Sequence, residues 1–148
     1  MGLSDQMMAD QKVAMRNHQE IRLSTIRMAR AAIINEQIEK RRPLEEAEVL
    51  SVLVRQVKQR RESIEEFGKG NRPDLVAKEQ AEMEVLLGYM PQQMTREEIE
   101  QRARATVQQV GATGPNDFGK VMSKLAPELK GRADGKVISE VVRGLLQK

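Results

Sequence analysis

Lys120 and Lys124, one helical turn apart, and Lys130, Arg132 and Lys136, around the glycine-bearing segment that follows, are the residues whose type and spacing best suit a chemical task. Ammonium groups and an arginine fork in such an array neutralise phosphates, and a helix start among them adds free backbone N–H groups as a second source of positive potential. With Arg143 and Lys148, these five cations stand against only Glu128, Asp134 and Glu140 in the stretch from Phe118 onward. Residues 1–92 carry fifteen Lys/Arg and fifteen Asp/Glu, whereas residues 93–148 carry ten and seven, so the net charge of +3 resides entirely in the second part. Local asymmetry of this kind attracts polyanions. The earlier basic groups, Arg22, Arg27, Arg30, Lys40, Arg41 and Arg42, then Arg55, Lys58, Arg60 and Arg61, are offset by neighbouring glutamates. RNA modules that read base sequence also present stacking aromatics, and this tail has only Phe118. Reading a folded RNA by shape needs fewer of them, a solubilising surface is the other reading of these charges, and no DNA specificity is apparent.

Other chemistries find little to work with. His18 is the only histidine and cysteine is absent, so no metal-ligand cluster, thiol nucleophile or disulfide is available. His18 reads as a helix-terminal residue favoured by the dipole. The groups Glu62, Glu65 and Glu66, and Glu79, Glu82 and Glu84, could be taken for acid–base carboxylates. They lie amid basic residues at helical spacing and read as a solvated face held by pairs three or four residues apart. Gly111, Gly114, Gly119, Gly131 and Gly135 form no phosphate-binding loop motif and read as turns and caps. Ser4, Ser24, Ser51, Ser63, Ser123 and Ser139 lack a nucleophile-elbow context. No catalytic residue, metal or cofactor is expected.

The elements that must position these residues are helices. Hydrophobic residues make up 39% of the chain, nearly all of them aliphatic, with Phe67, Tyr89 and Phe118 the only aromatics; this composition suits an all-α fold. Leu3-Ser4 reads as a staple and N-cap for a helix ending near Asn17 and His18. Ile21, Ile26, Ala29, Ile33, Ile34 and Ile38 mark a second from about Glu20 to Arg41, stopped by Pro43. A third spans Leu44 to Phe67 and ends at Gly68-Lys69-Gly70; a fourth opens at Pro73 and closes at Gly88-Tyr89-Met90-Pro91. Thr95 to Glu98 has the form of a capping box and starts a fifth that Gly111 stops. Asp117 caps a short sixth broken by Pro127, and Ala133-Asp134-Gly135 starts a seventh. Two small helical bundles follow: four helices in residues 1–92 and three in 93–148, the second marginal in size for independent stability. The absence of cysteine suits a reducing compartment, for which the cytoplasm is the expectation. No N-terminal apolar run approaches a signal segment or a spanning helix, so neither export nor a membrane partner is expected.

The motifs themselves resemble a known family. Ser24-Thr25-Ile26-Arg27-Met28 through Ala31-Ala32-Ile33-Ile34-Asn35-Glu36, then Val57 through Phe67, are similar to the YqeY family, which is related to the C-terminal part of the GatB subunit of tRNA-dependent amidotransferase. Asn71-Arg72-Pro73-Asp74-Leu75 with Glu79, Glu82 and Leu86, and Tyr89 to Met94, continue the likeness, with methionine in two places where leucine is expected. Gly119 to Met122, Lys130 to Gly135 and Val141 to Leu146 resemble the tail that GatB shares. The resemblance implies two helical bundles. It implies a link to transfer RNA, because in GatB the similar tail helps hold that RNA while the catalytic machinery lies elsewhere. Lys120, Lys124, Lys130, Arg132 and Lys136 are then the expected RNA contacts, and transfer RNA or an enzyme that processes it the expected partner. Two other functions stay open: a protein–protein adaptor that binds no RNA, and a subunit-like role in carbon–nitrogen ligase activity with glutamine as amide donor. Kinship of fold alone does not carry a site with it.

Overall fold

Among residues 2–147, which a computed structural model of the chain describes, seven α-helices and no β-strand form. They are α1 (Leu3–Arg16), α2 (Glu20–Lys40), α3 (Glu46–Lys69), α4 (Pro73–Leu87), α5 (Arg96–Val110), α6 (Phe118–Leu129) and α7 (Gly135–Leu146). The all-α expectation holds. The chain divides into two compact units, Met1–Met90 and Pro91–Lys148.

In the first unit α4 packs on α2 and α3, and α1 lies along α2 and against α3. Met7, Ile26, Ile33, Val52, Leu53, Val57 and Leu86 form its buried core. Tyr89 closes one end of that core: its hydroxyl donates to Asp10 Oδ2 at 2.5 Å, joining the segment after α4 to α1. Burial disfavours the phenolate and the adjacent Asp10 carboxylate disfavours it further, so the Tyr89 hydroxyl is held well above the ordinary tyrosine range. A group whose folded pKa is raised contributes stability in full below its unfolded pKa of about 10, and that contribution is lost as pH rises beyond it. Tyr89→Phe is accordingly expected to cost about 1.5–3 kcal/mol near neutral pH, the range for a hydrogen bond to a charged group. Urea denaturation checks this, and an unchanged midpoint would show that the bond contributes nothing.

Several helix ends depart from the spacing argument. Ser4 is not the N-cap of α1; Gly2 occupies that position without a side-chain cap, and the Leu3 N–H donates instead to Glu46 Oε1 at 2.7 Å. The cap is tertiary, supplied by α3. The third helix begins with a capping box between Glu45 and Glu48 and runs through Gly68 to Lys69. His18 lies beyond the C-cap Asn17, at φ +55°, in the turn to α2.

The second unit has its own core of Ile99, Ala103, Val121, Leu125, Leu129, Ile138, Val142 and Leu146. Thr95 caps α5 as the sequence predicts: Glu98 N–H donates to Thr95 Oγ1 at 3.2 Å and Thr95 N–H to Glu98 Oε1 at 3.1 Å. Gly111 ends the helix at φ +68°, a conformation that strains any residue with a Cβ. Asp117 stands at the N-cap of α6 as expected, but its side chain makes no capping bond there; it ends a 3-10 turn at Pro115–Asp117, and its carboxylate accepts from Thr113 N–H at 2.8 Å. Pro127 does not break α6 either: the helix runs on through it to Leu129, without the one ladder bond that the proline nitrogen cannot donate.

Candidate nucleic-acid interface

The five candidate cations lie along α6 and the turn that leads into α7. Lys120 and Lys124 are on α6, separated by a rise of about 6 Å. Lys120 is exposed and Lys124 half-buried, beside the buried positions Val121 and Leu125. Lys130 is the exposed C-cap of α6. The side chains of these three lysines make no hydrogen bond or ion pair among the described residues.

Arg132 and Lys136 are differently placed. The Arg132 Nε donates to the Gln92 carbonyl at 3.2 Å, and its own carbonyl accepts from Met94 N–H at 2.8 Å. Gln93 Nε2 donates to the Gly131 carbonyl at 2.7 Å, so residues 91–94 are strapped to the α6–α7 turn. Gly131 adopts φ +82° in that turn. Arg132 thus holds the turn while leaving part of its guanidinium for a partner. Lys136 is exposed at the start of α7, and its backbone N–H donates to Asp134 Oδ1 at 3.2 Å. The N-terminus of α7 is therefore already capped by a carboxylate, and a phosphate near it would depend on the side-chain cations rather than on the helix end.

The electrostatics agree with a positive turn. Glu98 is held below the ordinary carboxylate range by the Thr95 N–H and hydroxyl, with Arg132 adding to the effect. Asp117 is lowered by the backbone N–H of Thr113, with smaller help from Lys120.

Spacing did not reveal the partner of Phe118. The Arg143 guanidinium lies over its ring, 4.9 Å from the centroid, a cation–π contact that pre-orders two flat groups. Together with Pro115, Leu146 and Gln147 they line a cavity of about 330 Å³. Phe118 and Arg143 are twenty-five residues apart on separate helices, so only the fold brings them together. In this unit Arg102 pairs with Glu128, at 3.0 Å, and Arg96 with Glu100 and Glu140. Among the described residues no group of three or more His, Asp or Glu side chains could hold a metal ion, and no helix is long and apolar enough to cross a membrane.

A family model described as Yqey-like protein matches residues 4–146. The chain belongs to the YqeY-like family. Curated relatives carry the name Altered inheritance of mitochondria protein 41, mitochondrial. That of Pyrenophora tritici-repentis is 34% identical over 138 residues, covering 91% of this chain and 76% of the relative. That of Eremothecium gossypii is 37% identical over 121 residues, covering 79% and 66%, and that of Lachancea thermotolerans 35% identical over 98 residues, covering 66% and 52%. The chain thus spans between about half and three quarters of the length of these family members. Their naming as mitochondrial proteins overturns the cytoplasmic expectation. The physical reason is that missing thiols remove disulfide chemistry but carry no address, since any reducing compartment tolerates them.

Proposed function

We propose that this YqeY-like chain binds folded RNA of the transfer-RNA type through α6 and the α6–α7 turn of its second unit, as an accessory protein and not as a catalyst. The observation that carries the reading is the set of side-chain-unpaired lysines Lys120, Lys124 and Lys130 on one short helix. Ammonium groups held in no hydrogen bond or ion pair keep their capacity to displace counterions from a phosphate backbone. Arg143 stacked on Phe118 supports it by supplying a planar surface for an unpaired base. The triple variant Lys120→Glu, Lys124→Glu, Lys130→Glu is expected to weaken binding of total transfer RNA by on the order of a hundredfold at about 100 mM salt. Fluorescence anisotropy reads this, and undiminished affinity in a folded triple variant would remove the proposed site.

A protein–protein adaptor is the second reading, and it has an observation of its own. Met8, Val13, Met15, Ile21, Met28, Ile34 and Ile38, the large hydrophobic residues left exposed, all belong to α1 and α2. An adaptor would hold its partner there, with RNA affinity weak and insensitive to salt.

A further inference from the structure

The expectation that the glutamates of α3 and α4 form a solvated face fails at one of them. Glu82 is buried, and its carboxylate faces Arg60 across the α3–α4 interface with Oε2 3.4 Å from Nε; both side chains are less than a tenth exposed. The pair is close but not hydrogen-bonded. Arg60 Nη1 donates to the Gln56 carbonyl at 3.2 Å and to Gln56 Oε1 at 3.1 Å, while the buried Nε–H has no partner. Glu82 accepts no hydrogen bond among the described residues. A buried donor left in this state is costly, and an apolar pair of the same size would serve packing as well or better.

Both groups line a cavity of about 310 Å³. Its other walls are Gln59 and Ser63 of α3, Lys78 and Glu79 of α4, and Met28 of α2, the only apolar lining residue. Gln59, Arg60, Ser63, Glu79 and Glu82 all fall within the stretches that carry the family resemblance. The lining holds two cations, Arg60 and Lys78, against two carboxylates, Glu79 and Glu82. A phosphate or a divalent cation would meet as much repulsion as attraction there. The charges instead suit a ligand that carries one of each sign on neighbouring atoms.

We propose that this cavity binds a free α-amino acid. The Arg60 guanidinium, assisted by Lys78, takes the carboxylate; Glu82, assisted by Glu79, takes the ammonium group; Met28 flanks the side chain. The site lies wholly within the first unit, so it stands or falls separately from RNA binding by the second. Titration of the full chain with L-alanine and L-methionine, followed by amide NMR shifts, tests it. Saturable shifts are expected at α3 and α4, and L-alaninamide and N-acetyl-L-alanine, each lacking one charged head, should bind at least about tenfold more weakly. Arg60→Lys and Glu82→Gln should weaken L-alanine binding similarly. Ser63→Trp should abolish it by filling the cavity while leaving both charged residues in the chain, and decides the matter if the pair variants do not fold. Absence of saturable shifts, equal shifts with acetate or inorganic phosphate, or binding retained in Ser63→Trp would overturn the proposal.

Discussion

Replacing Arg60 alone by methionine is expected to cost the first unit about 3–5 kcal/mol, whereas Arg60→Met with Glu82→Leu should restore stability to within about 1 kcal/mol of the parent or raise it. The asymmetry follows from burial. Both side chains are less than a tenth exposed, so removing the guanidinium strands a carboxylate with no other partner, while removing both leaves an apolar contact between α3 and α4. A 90-residue unit holds roughly 5–13 kcal/mol in total, so the single change removes a large share of it. Urea denaturation of the two variants checks the cycle. A single variant within about 1 kcal/mol of the parent would mean that Glu82 is relieved by water and that its burial carries little penalty. The double variant is also expected to lose amino-acid binding, which separates the pair's contribution to the ligand from its contribution to the fold.

Leu125→Ala is expected to destabilise the second unit by about 2–5 kcal/mol through the lost transfer energy and the cavity left behind. Leu125 is fully buried, and its core is built from three short helices. A unit of 58 residues holds only about 3–9 kcal/mol by the same per-residue measure, so the variant should be largely unfolded there at moderate temperature. The first unit has a separate core and should keep its protection. Amide hydrogen exchange resolved by residue reads both at once. Loss of protection across both units together would contradict the picture of two separately stabilised cores.

The helices were legible because each carries its own periodicity and punctuation. Thr95 with Glu98 starts α5 and Gly111 ends it, and Pro73 and Asp134 stand where first-turn and capping rules put them. What misled was local chemistry overruled by position or by a distant residue. Ser4 lost its capping role because Glu46, forty-three residues beyond Leu3, supplies the acceptor for the Leu3 N–H. Pro127 did not stop α6, which runs on to Leu129. The candidate site was legible as a run of cations, since lysine spacing is written in the chain. That Arg132 spends its Nε on the Gln92 carbonyl, and that Arg143 covers Phe118, depend on contacts across tens of residues and carry no local signature. Glu82 shows the same limit most sharply: grouped in sequence with Glu79 and Glu84, it is turned toward Arg60 only by the packing of α4 on α3.

RNA binding through the second unit is tested most directly by the salt dependence of affinity for total transfer RNA, measured by fluorescence anisotropy from about 50 to 200 mM monovalent salt. With Lys120, Lys124 and Lys130 engaged and Arg132 and Lys136 contributing, the logarithm of affinity should fall with the logarithm of salt at a slope of roughly −2 to −4. The triple charge-reversed variant should lose most of that slope. A slope near zero, or no binding by the unaltered chain at the lowest salt, would contradict the RNA reading and leave the exposed apolar residues of α1 and α2 as the surface to pursue.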